Sequence, residues 1–434
     1  MNETQETSGA LIEQYGVDAV PKSARTKTWF DVMVIYAGLN ISIGALLFGG
    51  VLVPGLGWKE ALAVTVVGNV IAATIMVLTG HMGVDHGLPA SVINRQSLGH
   101  PLGANINALI ILVGLTGWFG VQNEVAGLAL SKAVESVSGF SAPVLLIFLL
   151  GATNVLVSVM GIESIKWLSR FSVPLLIGVL IWAAVALVDQ YDFKQLLTYA
   201  PSKTLNFMQG IDWIIGGWIV GVHVAADVAR HVKSRGHNWV GTLLGVAPLA
   251  MFTGLLGAMM ALATGNWNPV EAIAVLGLGL PAMLIITLST WTTNDVNLYN
   301  GGLAMTNVFP KLSRWTNTII LGAIGTALSM LRITEHFTSL LEMLVYLFTP
   351  LVGVSLVDYY LIRKQQLDSK LETPSQGKTI HASGINTMAW IAVVIGTTVA
   401  VLLPNTLPVS LIALLLSGAV YYAGMKLRKA QTTK

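Results

Sequence analysis

An all-helical integral membrane bundle of twelve spans is the fold class this sequence predicts, and three observations predict it. First, the 434-residue chain is 54% hydrophobic and only 10% charged, where a soluble domain carries roughly 25% charged residues. Second, apolar stretches close to the ~20 residues needed to cross a bilayer recur at 31–54, 59–81, 104–128, 142–161, 168–188, 208–229, 238–264, 278–299, 316–332, 337–362, 387–403 and 408–425. Third, with the N-terminus inside and twelve crossings, 19 of the 24 lysines and arginines fall on the inner side, as the positive-inside rule requires. Helices satisfy their own backbone hydrogen bonds in lipid, so each stretch reads as helix.

The ends and connectors follow. Residues 1–28 are polar and form a cytoplasmic tail. The first apolar stretch is too long for a signal-peptide core and lacks a clear cleavage site, so it reads as a retained span. Residues 29–363 form a ten-span core, 364–386 a cytoplasmic loop, 387–425 two additional spans and 426–434 a cytoplasmic tail. The expected location is the inner (plasma) membrane, with lipid around the chain and the monomer as working unit. The net charge of +3 follows from this topology and gives no argument for nucleic acid. With no cysteine in the chain, disulfides, thiolate metal sites and cysteine nucleophiles are excluded. No His-Glu-x-x-His or Gly-x-Ser-x-Gly pattern occurs, which argues against an enzyme, and no repeated pore helix or charged ring argues for a channel.

Within the core, span one is interrupted by Gly38, Ser42, Gly44, Gly49 and Gly50, and span six by Gly216, Gly217, Gly221, His223 and Asp227. Paired, Gly-interrupted spans in matching halves (about 29–190 and 208–363) point to a site on broken helices in an inverted repeat. The same glycines would also serve close helix packing.

Span eight carries Trp291-Thr292-Thr293-Asn294-Asp295-Val296-Asn297-Leu298-Tyr299. Hydroxyls, amides and a carboxylate survive inside a span when they face protein, an ion or a solute. Further motifs are Gly87-Leu88-Pro89, Arg95-Gln96-Ser97-Leu98-Gly99, Gly117-Trp118-Phe119-Gly120-Val121 and Ala226-Asp227-Val228-Ala229-Arg230. On these the chain resembles, over nearly its whole length, the nucleobase–cation symporters that include bacterial cytosine and purine permeases and a hydantoin transporter. The resemblance implies a leucine-transporter-type fold of two inverted five-helix repeats plus two C-terminal helices. The implied function is uptake of a planar nucleobase-like heterocycle (cytosine, a purine or a related compound) by cation symport with alternating access. The alternative is a proton-coupled carrier of another small solute, such as a hydantoin, allantoin, a vitamin precursor or an amine.

A flat heterocycle needs aromatic faces for stacking and amides for its rim of donors and acceptors. Trp118 and Gln122 are four apart and share a helix face, so a ring stacked on Trp118 can be read by Gln122; the hydantoin transporter supports both roles. By the family pattern Gly217 and Trp218 lie in the break of span six, and Trp218 forms the other side of a ring sandwich. Asn294 and Asn297 lie one turn apart on span eight, where the family places a rim-reading amide. His223 suits proton coupling or donation to a purine nitrogen, or else a structural role. Sodium wants hard oxygens: Thr292 and Thr293 offer hydroxyls, unless these bond back to their own helix, and the resemblance adds carbonyls of Gly38, Ile41 and Ser289. No other cofactor is implied, and the coupling ion stays open between sodium and a proton. Asp227 reads as a structural partner near Arg230, and Glu124 has no assigned role. Gln122, Val220, His223 and Val296-Asn297 depart from the cytosine-permease pattern, which favours "nucleobase-like heterocycle" over cytosine itself.

Overall fold

The computed structural model describes residues 18–40, 43–160, 162–309, 311–367, 381 and 383–432. Each apolar stretch carries a helix or helix pair. The first holds α1 (Trp29–Asn40) and α2 (Ile43–Leu52), the second α3 (Trp58–His86). After the short α4 (Ala90–Leu98) come α5 (Leu102–Ser138), α6 (Pro143–Met160) and α7 (Ile162–Gln190). A short α8 (Phe193–Leu197) leads to α9 (Phe207–His223) and α10 (Ala225–Ala229), which share the sixth stretch. Then follow α11 (Arg235–Thr264), the short α12 (Pro269–Val275), α13 (Gly279–Val308), α14 (Arg314–Met330), a 3-10 turn Ile333–His336, α15 (Phe337–Val357), α16 (Thr387–Leu402) and α17 (Val409–Thr432). Among the described residues, five segments are individually long and apolar enough to cross a membrane: α3, α5, α11, Ile333–Ile362 and Val409–Arg428. The α1–α2 pair qualifies jointly, bent by 64°.

The Gly-Leu-Pro motif acts as a helix stop and start. Gly87 caps α3 in the left-handed region, φ 71°, where a β-carbon is unfavourable. Pro89 then precedes the first residue of α4, and its fixed φ suits a helix entry. The start of α4 is held from the core, because Asp227 on α10 accepts from the Ala90 N–H at 2.7 Å.

The helices sort into two packed groups. One joins α1, α2, α3, α9, α10 and α11; the other joins α5, α6, α13 and α14. Helix α15 lies against α9 and α17, and α16 pairs with α17. Small residues set the closest approach within the first group: the Gly254 carbonyl on α11 occupies the space a β-carbon on Gly49 would need, so α2 and α11 meet backbone to backbone.

Both expected helix breaks exist, and one is displaced. The first shows as the 64° bend between α1 and α2, and at the end of α1 Asn40 donates to Tyr36 O (3.2 Å) and to Gly245 O on α11 (3.1 Å). The second was expected at Gly217-Trp218, but α9 runs on through both and ends at His223, with Val224 between it and α10. Gly217 therefore acts by the space it leaves, with no need for an irregular backbone. Most of the 364–386 loop lies outside the described residues.

Candidate functional site

The centre of the site is an aromatic triangle built from three elements. Trp118 on α5 meets Phe48 on α2 (centroids 5.9 Å apart, planes at 49°) and Phe337 at the start of α15 (6.0 Å, 73°). Phe48 and Phe337 close the triangle at 5.6 Å. Such tilted and edge contacts suit the ring quadrupoles. Gly217 faces this triangle, since a β-carbon there would fall on the Phe48 ring.

Trp218 lies beyond Phe48. Its indole donates to Asn69 Oδ1 at 2.8 Å. With Phe48, Asn40, Thr65 and Asn69 it lines a small cavity between α2, α3, α9 and α11. Phe48 is thus common to the surroundings of both indoles. Phe48, Phe337 and Asn69 were not singled out from sequence, because two phenylalanines and an amide within apolar stretches carry no local signal.

Three amides on the packed helices α5 and α13 share one property. Gln122 Oε1, Asn294 Oδ1 and Asn297 Nδ2 are shielded from solvent and have no hydrogen-bond partner among the described residues. Asn294 is anchored at its other end, donating to Phe119 O at 3.1 Å, which ties α13 to the residue after Trp118. Buried polar atoms normally find a partner, so two acceptors and one donor left open on α5 and α13 are available to a polar ring.

His223 is placed elsewhere. Its Nε2 lies 2.9 Å from Asn107 Oδ1 and 3.3 Å from Asn94 Nδ2, and its ring meets Phe348 edge-on at 5.6 Å. Asn107 precedes Trp118 by eleven residues on α5, about 16 Å along a helix. His223 therefore belongs to a second polar cavity with Thr79, Asn94 and Ser355, away from the aromatic triangle.

The sodium ligands are described in part. Gly38 lies near the end of the described part of α1, and its backbone carbonyl is a hard oxygen of the kind that suits a sodium ion. Thr293 is half-buried on α13. Ile41 and the side chains of Ser289 and Thr292 lie outside the described residues. The backbone of α13 is continuous through Ser289, so the Ser289 carbonyl has only its second lone pair to offer.

Residues 19–423 match the sequence profile of a family described as permease for cytosine/purines, uracil, thiamine, allantoin. The cytosine permease of Escherichia coli (strain K12) is 28% identical over 415 residues, covering 93% of this chain and 92% of its own. The hydantoin permease of Microbacterium maritypicum is 23% identical over 414 residues, covering 89% and 84%. Among solved structures, the inward-facing conformation of Mhp1 superposes with a TM-score of 0.86 at 22% identity, over 98% of this chain and 95% of that one. A closed Mhp1 with bromovinylhydantoin bound gives 0.82 at 21% identity, over 96% of each. A Na+-coupled sialic acid symporter gives 0.65 at 12% identity, over 95% and 92%. These likenesses give the fold: a leucine-transporter-type helical bundle with two C-terminal helices. The protein is a multi-pass membrane transporter and not an enzyme. Its profile match spans nearly the whole chain, and the protein belongs to the family of permeases for cytosine/purines, uracil, thiamine and allantoin.

Proposed function

We propose that this permease imports a planar nitrogen heterocycle by cation symport, with the ring stacked on Trp118 and its rim read by Gln122, Asn294 and Asn297. The observation that carries this reading is the set of three buried amide atoms on the packed helices α5 and α13 that have no partner among the described residues, one of them on Gln122, a helical turn from Trp118. A ring that pairs with them removes a desolvation cost that an apolar solute would leave in place. Gly217 and Trp218 form the far side of the site, with Phe48 yielding its place to the substrate.

The coupling ion on this reading is sodium, held by the Gly38 and Ile41 carbonyls and by Ser289, Thr292 and Thr293. Ion and substrate stabilise the same closed arrangement, which couples them. One monovalent cation moving down ~100 mV gains about 2.3 kcal/mol. A tenfold concentration gradient adds about 1.4 kcal/mol, enough in total for several-hundredfold accumulation of a neutral solute. The protein works as a monomer in the inner membrane with both termini cytoplasmic, and the distribution of lysine and arginine supports that orientation.

The test is a thermal-shift screen of the purified protein against cytosine, uracil, purines, allantoin and hydantoins, with sodium or choline as the salt. A ligand that binds the folded state raises the melting temperature by mass action. A heterocycle that shifts it more in sodium supports the reading. If no heterocycle shifts it in either salt, the substrate class is wrong.

A further inference from the structure

Glu124 is buried at 3% exposure on α5, six residues past Trp118, and the site described above does not use it. Its carboxylate reaches across to the turn before α15. Oε2 accepts from the Thr334 N–H at 2.9 Å, and Oε1 accepts from the Thr334 hydroxyl at 2.6 Å. Both oxygens are spent on one residue. Thr334 is itself 3% exposed, and it lies in the 3-10 turn Ile333–His336, three residues before Phe337.

The turn needs such a hold. It is entered through Arg332, which adopts φ 60° and ψ 54°, a left-handed conformation unfavourable for a residue with a β-carbon. Strained backbone persists where the surroundings over-determine it, and it clusters at clamps and switch segments. The turn's ion pair, Arg332 to Glu335 at 3.1 Å, is exposed at 72% and 58% and is weakened by solvent. The buried carboxylate is the stronger tie, because charge-assisted bonds shielded from water outweigh exposed pairs.

We propose that Glu124 is a positioning residue for substrate binding: by gripping Thr334 it sets the Ile333–His336 turn, so that Phe337 is held against Trp118 as a wall of the site. The wall's importance rests on the stacking role proposed for Trp118; the grip itself does not. Trp118 and Glu124 lie on the same helix, so stacking face and latch move as one unit. The chain stretch carrying Phe337 is hydrogen-bonded to that unit through Thr334, while Ile333 and Leu340 pack against Gly120 and Gly117 of the same helix; releasing Thr334 loosens the turn.

The chain has no cysteine, so a single introduced thiol reports without background. Ile333→Cys in the full-length protein reconstituted in liposomes is labelled with a membrane-impermeant maleimide, alone and with Glu124→Ala, Glu124→Gln or Thr334→Val. The latch predicts labelling faster by on the order of tenfold with Glu124→Ala, the factor that ~1.4 kcal/mol represents. Glu124→Gln, which keeps one acceptor, and Thr334→Val, which keeps the backbone bond, should fall between. Equal rates in all four proteins overturn the latch, whatever the substrate. Should Glu124→Ala not fold, the Gln and Val variants decide by the same comparison. In parallel, the dissociation constants of cytosine, uracil and allantoin are measured for each variant. For any of these that binds the wild type, weakening in the same order as the labelling, with the Thr334→Val effect lost in the Glu124→Ala background, supports positioning. Faster labelling with unchanged affinity overturns it. If none of the three binds wild type, the stacking reading fails on its own, and the labelling series still decides the latch.

Discussion

The ring of Phe48 lies where a β-carbon on Gly217 would have to be, and the same ring packs against Trp118 at 5.9 Å. Glycine at 217 thus lets an aromatic side chain from the first broken helix stand against the sixth span. A substrate stacked on Trp118 must contend with that ring.

Substituting Gly217→Ala should drive the new methyl group into Phe48. Overpacking of this kind costs typically 1–3 kcal/mol, read as a lower unfolding midpoint of the purified protein. In a Phe48→Ala background the same change should cost clearly less, which a double-mutant cycle measures. An equal cost in both backgrounds would show that the two residues do not share that space.

Trp118→Ala should weaken heterocycle binding without unfolding the protein. Base–aromatic stacking is worth roughly 1–3 kcal/mol, about a 5- to 150-fold change in dissociation constant. Calorimetric titration with whichever heterocycle raises the wild-type melting temperature measures it. Unchanged affinity would remove Trp118 from the site.

Gln122→Leu separates binding from folding. Gln122 Oε1 has no partner, so removing it should leave stability within ~1 kcal/mol or raise it, because an unsatisfied buried group is lost. Affinity for the heterocycle should fall. A large loss of stability with affinity intact would assign Gln122 to the scaffold.

At the end of α3, beyond the apolar stretch, Asp85 accepts from Arg235 Nε at 2.8 Å and also bonds Arg235 Nη2 and the Tyr359 hydroxyl. Burial raises the Asp85 pKa, but these hydrogen bonds outweigh it and hold the carboxyl below the usual carboxylate range. A depressed carboxylate contributes stability above its unfolded pKa of about 3.9, and that contribution is lost as pH falls through the lower folded value. Asp85→Asn should therefore lower the melting temperature at pH 7, with the deficit shrinking below about pH 4. A deficit that stayed constant through the acid range would mean the charge is irrelevant.

The sequence by itself determined the helical architecture and its order. Apolar stretches of spanning length are dictated by the bilayer as solvent, and each of the twelve carries a helix or helix pair. It also pointed to Trp118, Gln122, Asn294 and Asn297, because polar and aromatic groups are costly inside a span and stand out there. The connecting helices α4, α8 and α12 were not foreseen, being too short to carry a periodic signal. Only the tertiary structure decided what depends on contacts between distant segments. It showed that Phe48 and Phe337 pack around Trp118, that His223 joins Asn94 and Asn107 elsewhere, and that the helix of the sixth span is interrupted at Val224 and not at Gly217. It also showed that Glu124 serves Thr334. The physical reason is common to all four: a side chain's partner is set by which helices pack together, and hydropathy along one strand of sequence holds no record of that pairing.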